Sequence, residues 1–230
     1  MRTFRHLHLC ALLATSLWAS QLQAAPITVD LDYTGFTTGS RTGRLYDNTF
    51  GNRNVRAGLF GFDVTGSTGT LPWDWSDRLE AFCVEIGITL SHDPVTYTMN
   101  SAADYFNDVS QVDLIGRLYT GYRDKVIDGL TSAAFQLALW EVVNETGNAL
   151  DLFGGSFRTN SFGSARGQAQ SWLGSLDGIV NQYSLHVLES PDSQDLLVFS
   201  PDTPTIAAPA SLGLLSLGLS VLGLRFRRRR

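Results

Sequence analysis

Between Thr131 and Asn144, apolar side chains occupy nearly the whole circumference of a helix: Ala134, Phe135, Leu137, Ala138, Leu139, Trp140, Val142 and Val143. A helix that is apolar all round is buried rather than half exposed. The run is too long for one strand and rich in Ala and Leu, so it predicts a helix beginning at Thr131 or Ser132. One polar side chain, Gln136, interrupts the apolar run. A buried carboxamide has donors and an acceptor to satisfy and therefore needs a partner. A capping box does not explain it, because the position three residues earlier is Ala133.

Elsewhere the period changes. Ile27–Tyr33 and Ala57–Val64 read as strands, with a long exposed loop rich in Gly, Thr, Arg and Asn over Thr34–Asn54. Arg78–Leu90 reads as a strand with Phe82, Val84, Ile86, Ile88 and Leu90 on one face. Ala81, Cys83, Glu85, Gly87 and Thr89 fall on the other face, and Val95–Met99 is expected to pair back on this strand. Asp108 or Ser110 caps a helix carrying Val112, Ile115, Leu118, Tyr119 and Tyr122 at helical spacing. A short strand is expected over Leu150–Phe157, a helix over Ala165–Leu176, and closing strands over Tyr183–Glu189 and Asp195–Ser200. No internal repeat is visible. The pattern predicts an α+β fold, a β-sandwich or barrel-like β-domain with a helical insertion.

Both chain ends differ from this domain. Residues 1–25 have the form of a signal peptide: Arg2 and Arg5, an apolar core over Leu9–Trp18, and small residues at Ala24 and Ala25. Export through the inner membrane and cleavage by signal peptidase are expected. After a linker over 201–205, the stretch Ile206–Leu224 is uncharged and long enough for a helix of about 28 Å, roughly one hydrocarbon core. Arg225, Arg227, Arg228, Arg229 and Arg230 follow and would hold that end in the cytoplasm. The tail over 206–230 resembles the PEP-CTERM sorting signal of Gram-negative bacteria. That resemblance implies a transmembrane sorting helix, processing by exosortase, and delivery to the cell surface or extracellular matrix; the other reading of the same stretch is a permanent C-terminal membrane anchor. The signature positions here read Ala207, Ala208 and Pro209 in place of Pro-Glu-Pro.

Residues 26–200 are enough for one domain with a real core. All 22 acidic residues of the chain lie between the two ends, whereas seven of the 17 basic ones lie in them. The resulting negative balance argues against nucleic acid as a partner. Lys125 is the domain's only lysine, which would also spare a reactive acyl group from attack by its own protein. Cys10 falls in the signal peptide, leaving Cys83 as a lone cysteine in a compartment that oxidises thiols. Such a cysteine implies an intermolecular disulfide, a protected thiol or special chemistry.

Phe82-Cys83-Val84, taken with Phe135-Gln136-Leu137-Ala138-Leu139-Trp140, resembles the thioester domains of bacterial surface adhesins. Those carry an aromatic residue or Leu before the Cys and a Thr-Gln-x-Ala-Ile-Trp element; here Phe135 stands for Thr and Leu139 for Ile. The resemblance implies an internal thioester between Cys83 and Gln136, able to acylate amines or hydroxyls on a surface or matrix polymer. Phe82, Phe135 and Trp140 would shield the bond, and Glu85, on the strand face of Cys83, would relay a proton. A Gln near a helix N-terminus would place the thiolate and the developing oxyanion at the positive end of the dipole.

Other chemistry finds less support. His92 and His186 are isolated, the carboxylates form no calcium-loop pattern, and the glycines have no phosphate-loop or nucleophile-elbow spacing. No metal or cofactor is expected. Trp73, Trp75 and Tyr46 could stack on sugars. The sequence thus points to an exported adhesin-like protein that acts at most in a single covalent turnover rather than as an enzyme. The alternative is a non-covalent structural or glycan-binding matrix protein without a thioester.

Overall fold

The computed structural model describes residues 25–201 apart from 72–74, 76, 147 and 148. The signal peptide and the apolar sorting tail therefore lie outside the described residues. Among the described residues, no helix is long and apolar enough to cross a membrane.

The fold is α+β. Among the described residues, β1 (Thr28–Asp47), β2 (Gly51–Thr68), β3 (Arg78–Cys83), β4 (Val95–Ser101), β5 (Phe157–Asn160), β6 (Tyr183–Glu189) and β7 (Leu196–Pro201) form one antiparallel sheet. Its order is β2-β3-β7-β6-β4-β1-β5, with β1 also pairing along β2. Helices α1 (Ala102–Phe106), α2 (Val109–Tyr122) and α3 (Gly129–Asn144) precede β5, and α4 (Ser164–Leu173) follows it.

This corrects the expected β-sandwich or barrel with one helical insertion; the flanking transmembrane helix falls outside the described residues. The strands form a single multi-stranded sheet, and β5, paired with β1, divides the helices into two groups. Alternation in sequence tells which face of a strand is buried, but not which strand lies beside it.

Several boundaries move for the same reason. Most of the expected Thr34–Asn54 loop is strand, because Ser40–Asp47 pairs in register with Gly51–Gly58. Its Gly, Thr and Arg content reflects register shifts and exposed side chains rather than absence of pairing. The expected Arg78–Leu90 strand stops at Cys83, and Ile88 is exposed. Val95–Met99 pairs with β1 and β6 rather than back on that strand. The strand expected over Leu150–Phe157 begins only at Phe157.

Helix α3 is buried without a break from Ser132 to Val142, as a helix apolar all round should be. It starts earlier than expected. Asp128 is the N-cap and Thr131 the far member of a capping box, so Thr131 lies inside the first turn. The helix packs on β1 and β2 and against α2 and α4. Its first residue must be small: a Cβ on Gly129 would lie 2.9 Å from Ser40 N. That close approach lets the following turns reach the sheet.

Candidate functional site

Strands β2 and β3 pair from Asp63↔Arg78 to Phe60↔Ala81 and then part. The parting leaves backbone groups on both strands without a ladder partner, and buried groups of that kind must be satisfied. Helix α3 fills the gap with side chains four residues apart, which share one helix face. Ser132 Oγ accepts a bond from Leu59 N of β2 at 2.7 Å. One turn on, Gln136 Oε1 accepts from Cys83 N of β3 at 3.0 Å, and Gln136 Nε2 donates to Cys83 O at 2.7 Å. A further turn on, Trp140 comes beside the Cys83 sulfur. Cys83 and Gln136 are 53 residues apart in sequence, and each is 1% exposed.

The sequence-predicted shielding residues gather here as well. The rings of Phe82 and Phe135 stack with centroids 4.4 Å apart and planes 22° from parallel, and both side chains are fully buried. Trp140 is 4% exposed. Its indole N–H lies close enough to Cys83 to favour a thiolate, yet makes no hydrogen bond of normal geometry.

The Cys83 thiol donates to Glu85 O at 2.6 Å. Burial pushes this thiol far above its ordinary range. The neighbouring Trp140 and the bond to Glu85 oppose that shift without cancelling it, while the Glu85 and Asp195 carboxylates add to it. Cys83 is thus a neutral thiol at physiological pH, not a preformed thiolate.

Glu85 reaches the sulfur through its backbone carbonyl; its side chain accepts from Asp195 N at 2.9 Å. Burial raises the Glu85 carboxyl, and Asp195 and Glu189 raise it further against the bond from Asp195 N. Asp195 in turn accepts from Tyr105 Oη at 2.9 Å and from Ser190 N at 3.1 Å. Sequence reasoning missed this Glu85–Asp195–Tyr105 chain, since its members come from three distant parts of the sequence.

One expectation about the site is corrected. Gln136 sits two turns inside α3 rather than at its N-terminus, so the helix dipole, which acts within the first turn, does not serve it. Sequence reasoning also missed Ser132. The signal for it was its position four residues before Gln136 in the same apolar run.

Of the candidate sugar-stacking aromatics, Trp75 is buried, Tyr46 lies under the Arg158 guanidinium at 3.7 Å, and Trp73 falls outside the described residues. Pro209 and Arg225, Arg227, Arg228, Arg229 and Arg230 of the tail also lie outside them.

No protein-family model and no curated protein matches the chain. Among solved structures, the N-terminal thioester domain of a surface protein from Clostridium perfringens, in a cysteine-to-alanine mutant form, is similar with a TM-score of 0.40 at 12% sequence identity. The match covers 69% of this chain and 98% of that one.

Proposed function

We propose that this is an exported, adhesin-like surface protein in which Cys83 and Gln136 form an internal thioester that captures an amine or hydroxyl on a target polymer. The observation that carries the reading is the carboxamide of Gln136, buried and held at both its polar ends on the backbone of Cys83. A reacting pair held in this way loses little further freedom on the path to reaction.

In the first step Cys83 Sγ attacks Cδ of Gln136. The thiol proton passes to the amide nitrogen, the C–N bond breaks, and one ammonia leaves. The Cys83 N–H, already bonded to Oε1, would stabilise negative charge developing on that oxygen. Glu85 is the candidate relay for the proton, and the Phe82–Phe135 stack with Trp140 keeps water from the acyl group. In the second step a target amine or hydroxyl attacks the same carbon. The C–S bond breaks, the nucleophile's proton goes to sulfur, and Gln136 is left joined to the target by an amide or ester.

One observation favours a second reading. Gln136 satisfies both its polar ends on backbone and the Cys83 thiol has an acceptor of its own, as in a purely structural clasp within a non-covalent matrix protein.

The intact mass of the purified protein, fresh and after methylamine, separates the two beside Cys83→Ala. A deficit of one ammonia that methylamine converts to a covalent adduct, absent from the variant, is the expected result. An undiminished mass, with one thiol titrating only after unfolding, would leave the clasp and overturn the thioester.

A further inference from the structure

A cleft of about 850 Å³ reaches the site from outside. Trp140 and Glu85 line its inner end, and Tyr33, Phe36, His92 and Gln194 line its walls. At its mouth stand Arg53 and Arg56 of β2, both exposed. Among the described residues the ion pairs are made by other arginines, Arg78, Arg117 and Arg123, so Arg53 and Arg56 have no carboxylate partner there.

Both guanidinium groups are nevertheless held in place. Arg56 lies over the Phe36 ring at 4.7 Å and donates from Nε to Ser40 Oγ at 2.7 Å; Arg53 lies over Phe50 at 5.3 Å. Stacking fixes the plane of the fork while leaving its terminal N–H groups toward solvent, an arrangement suited to carboxylate or sulfate.

The surroundings extend this charge. Half of the cationic residues between positions 25 and 201 are Arg41, Arg44, Arg53, Arg56 and Arg158, all on the far part of the β1–β2 hairpin or on β5, which pairs with it. The rest of the domain is acidic. At the inner end, the Trp140 N–H is buried with the Cys83 sulfur beside it and makes no hydrogen bond of normal geometry.

We infer that this cleft is the acceptor-binding site and that it takes an acidic polysaccharide. The arginines at the mouth hold its carboxylate or sulfate groups, and the aromatic walls stack on sugar rings. A polysaccharide carries hydroxyls along its whole length, so a nucleophile reaches Trp140 in almost any register; an acidic peptide would need a lysine at one position. The transfer step rests on the thioester reading: a sugar oxygen bonds to Cδ of Gln136, the C–S bond breaks, and the hydroxyl proton passes to Cys83 Sγ. The docking itself does not depend on that step.

The test separates the two. Cys83→Ala protein, which cannot form the bond, is titrated with polygalacturonate, with uncharged dextran and with poly-glutamate. Polygalacturonate is expected to bind, more weakly as salt rises, and dextran and poly-glutamate to bind at least about tenfold less well. Adding Arg53→Gln and Arg56→Gln to Cys83→Ala is expected to weaken polygalacturonate binding by about tenfold or more, whereas Lys125→Gln does not. Equal binding with and without the two arginines, or equal binding of dextran or poly-glutamate, overturns the inference. Polygalacturonate binding by Cys83→Ala with no methylamine capture by the unaltered protein would sink the thioester and leave the cleft standing.

Discussion

Two of the buried polar side chains of helix α3, Gln136 and Glu141, lie five residues apart and are treated in opposite ways. Gln136, 1% exposed, has both ends of its carboxamide bonded to the backbone of one residue across the gap between β2 and β3. Glu141, 0% exposed, has one oxygen accepting from Asp151 N at 2.6 Å and the other, Oε2, without a partner. Burial, with Glu145 and Asp151 nearby, pushes the Glu141 carboxyl up to about 8, against the bond from Asp151 N. Both side chains sit on the same buried helix. What differs is the geometry of the neighbour: a strand that has lost its ladder partner offers a donor and an acceptor side by side, and the loop at Asp151 offers only a donor. A buried amide fits the first kind of place and a protonated acid the second.

The largest break in that contrast comes from Gln136→Leu. The side chain keeps its volume, but Cys83 N–H and C=O lose their partner in a site closed to water. At about 1–3 kcal/mol for each orphaned group, the loss is expected to total about 2–6 kcal/mol by denaturant unfolding, together with complete loss of any ammonia deficit in the intact mass. A variant as stable as the parent would show that the two bonds hold nothing, and the account of how α3 closes the gap between β2 and β3 would fail.

How much of this the sequence shows depends on whether the cause is local. The burial of α3 and the oddity of Gln136 are legible in one run of residues, because a helix apolar all round has nowhere to go but the core. Tyr183–Glu189 is read to its ends for a similar reason, as apolar and polar residues alternate from Tyr183 to Val187. Cys83 is legible as a lone exported thiol, but not as the last residue of β3: alternation continues to Leu90, while pairing with β2 ends at Ala81 and pairing with β7 at Cys83. Nothing within Arg78–Leu90 encodes where a distant strand leaves it. Arg53 and Arg56 were hidden for the same reason, inside a stretch whose Gly, Arg and Asn content resembles a loop until its register with β1 is known.

Ser132→Ala sharpens the comparison from the same helix face. Its hydroxyl is the one described partner of Leu59 N–H, on the β2 side of the gap. Removing it is expected to cost about 1–3 kcal/mol, since Ser132 is fully buried and water cannot take its place. The ammonia deficit should persist, because Ser132 touches the opposite strand from Cys83. Parallel unfolding curves and intact masses for Ser132→Ala and Gln136→Leu therefore separate what α3 does for stability from what it does for chemistry. Loss of the deficit in both would mean that the gap must be closed as a unit before Cys83 and Gln136 can meet.

Glu141→Gln addresses the other half of the contrast, and at acidic pH it is the smallest change of the three. The folded carboxyl, at about 8, lies above its ordinary value near 4.5. Below that ordinary value both folded and unfolded chains hold the proton, and the acid destabilises nothing. Between the two values the folded chain binds more protons than the unfolded one, so stability falls as pH rises, by at most about 1.4 kcal/mol per pH unit. Glutamine cannot ionise and removes that slope. Thermal unfolding should show the variant and the parent nearly alike at pH 5, with the variant gaining several degrees by pH 8. A constant difference across this range would mean that Glu141 is ionised in the folded protein and that its second oxygen has found a cation or water. Gln136 and Glu141 would then differ in their partners but not in how completely they are satisfied.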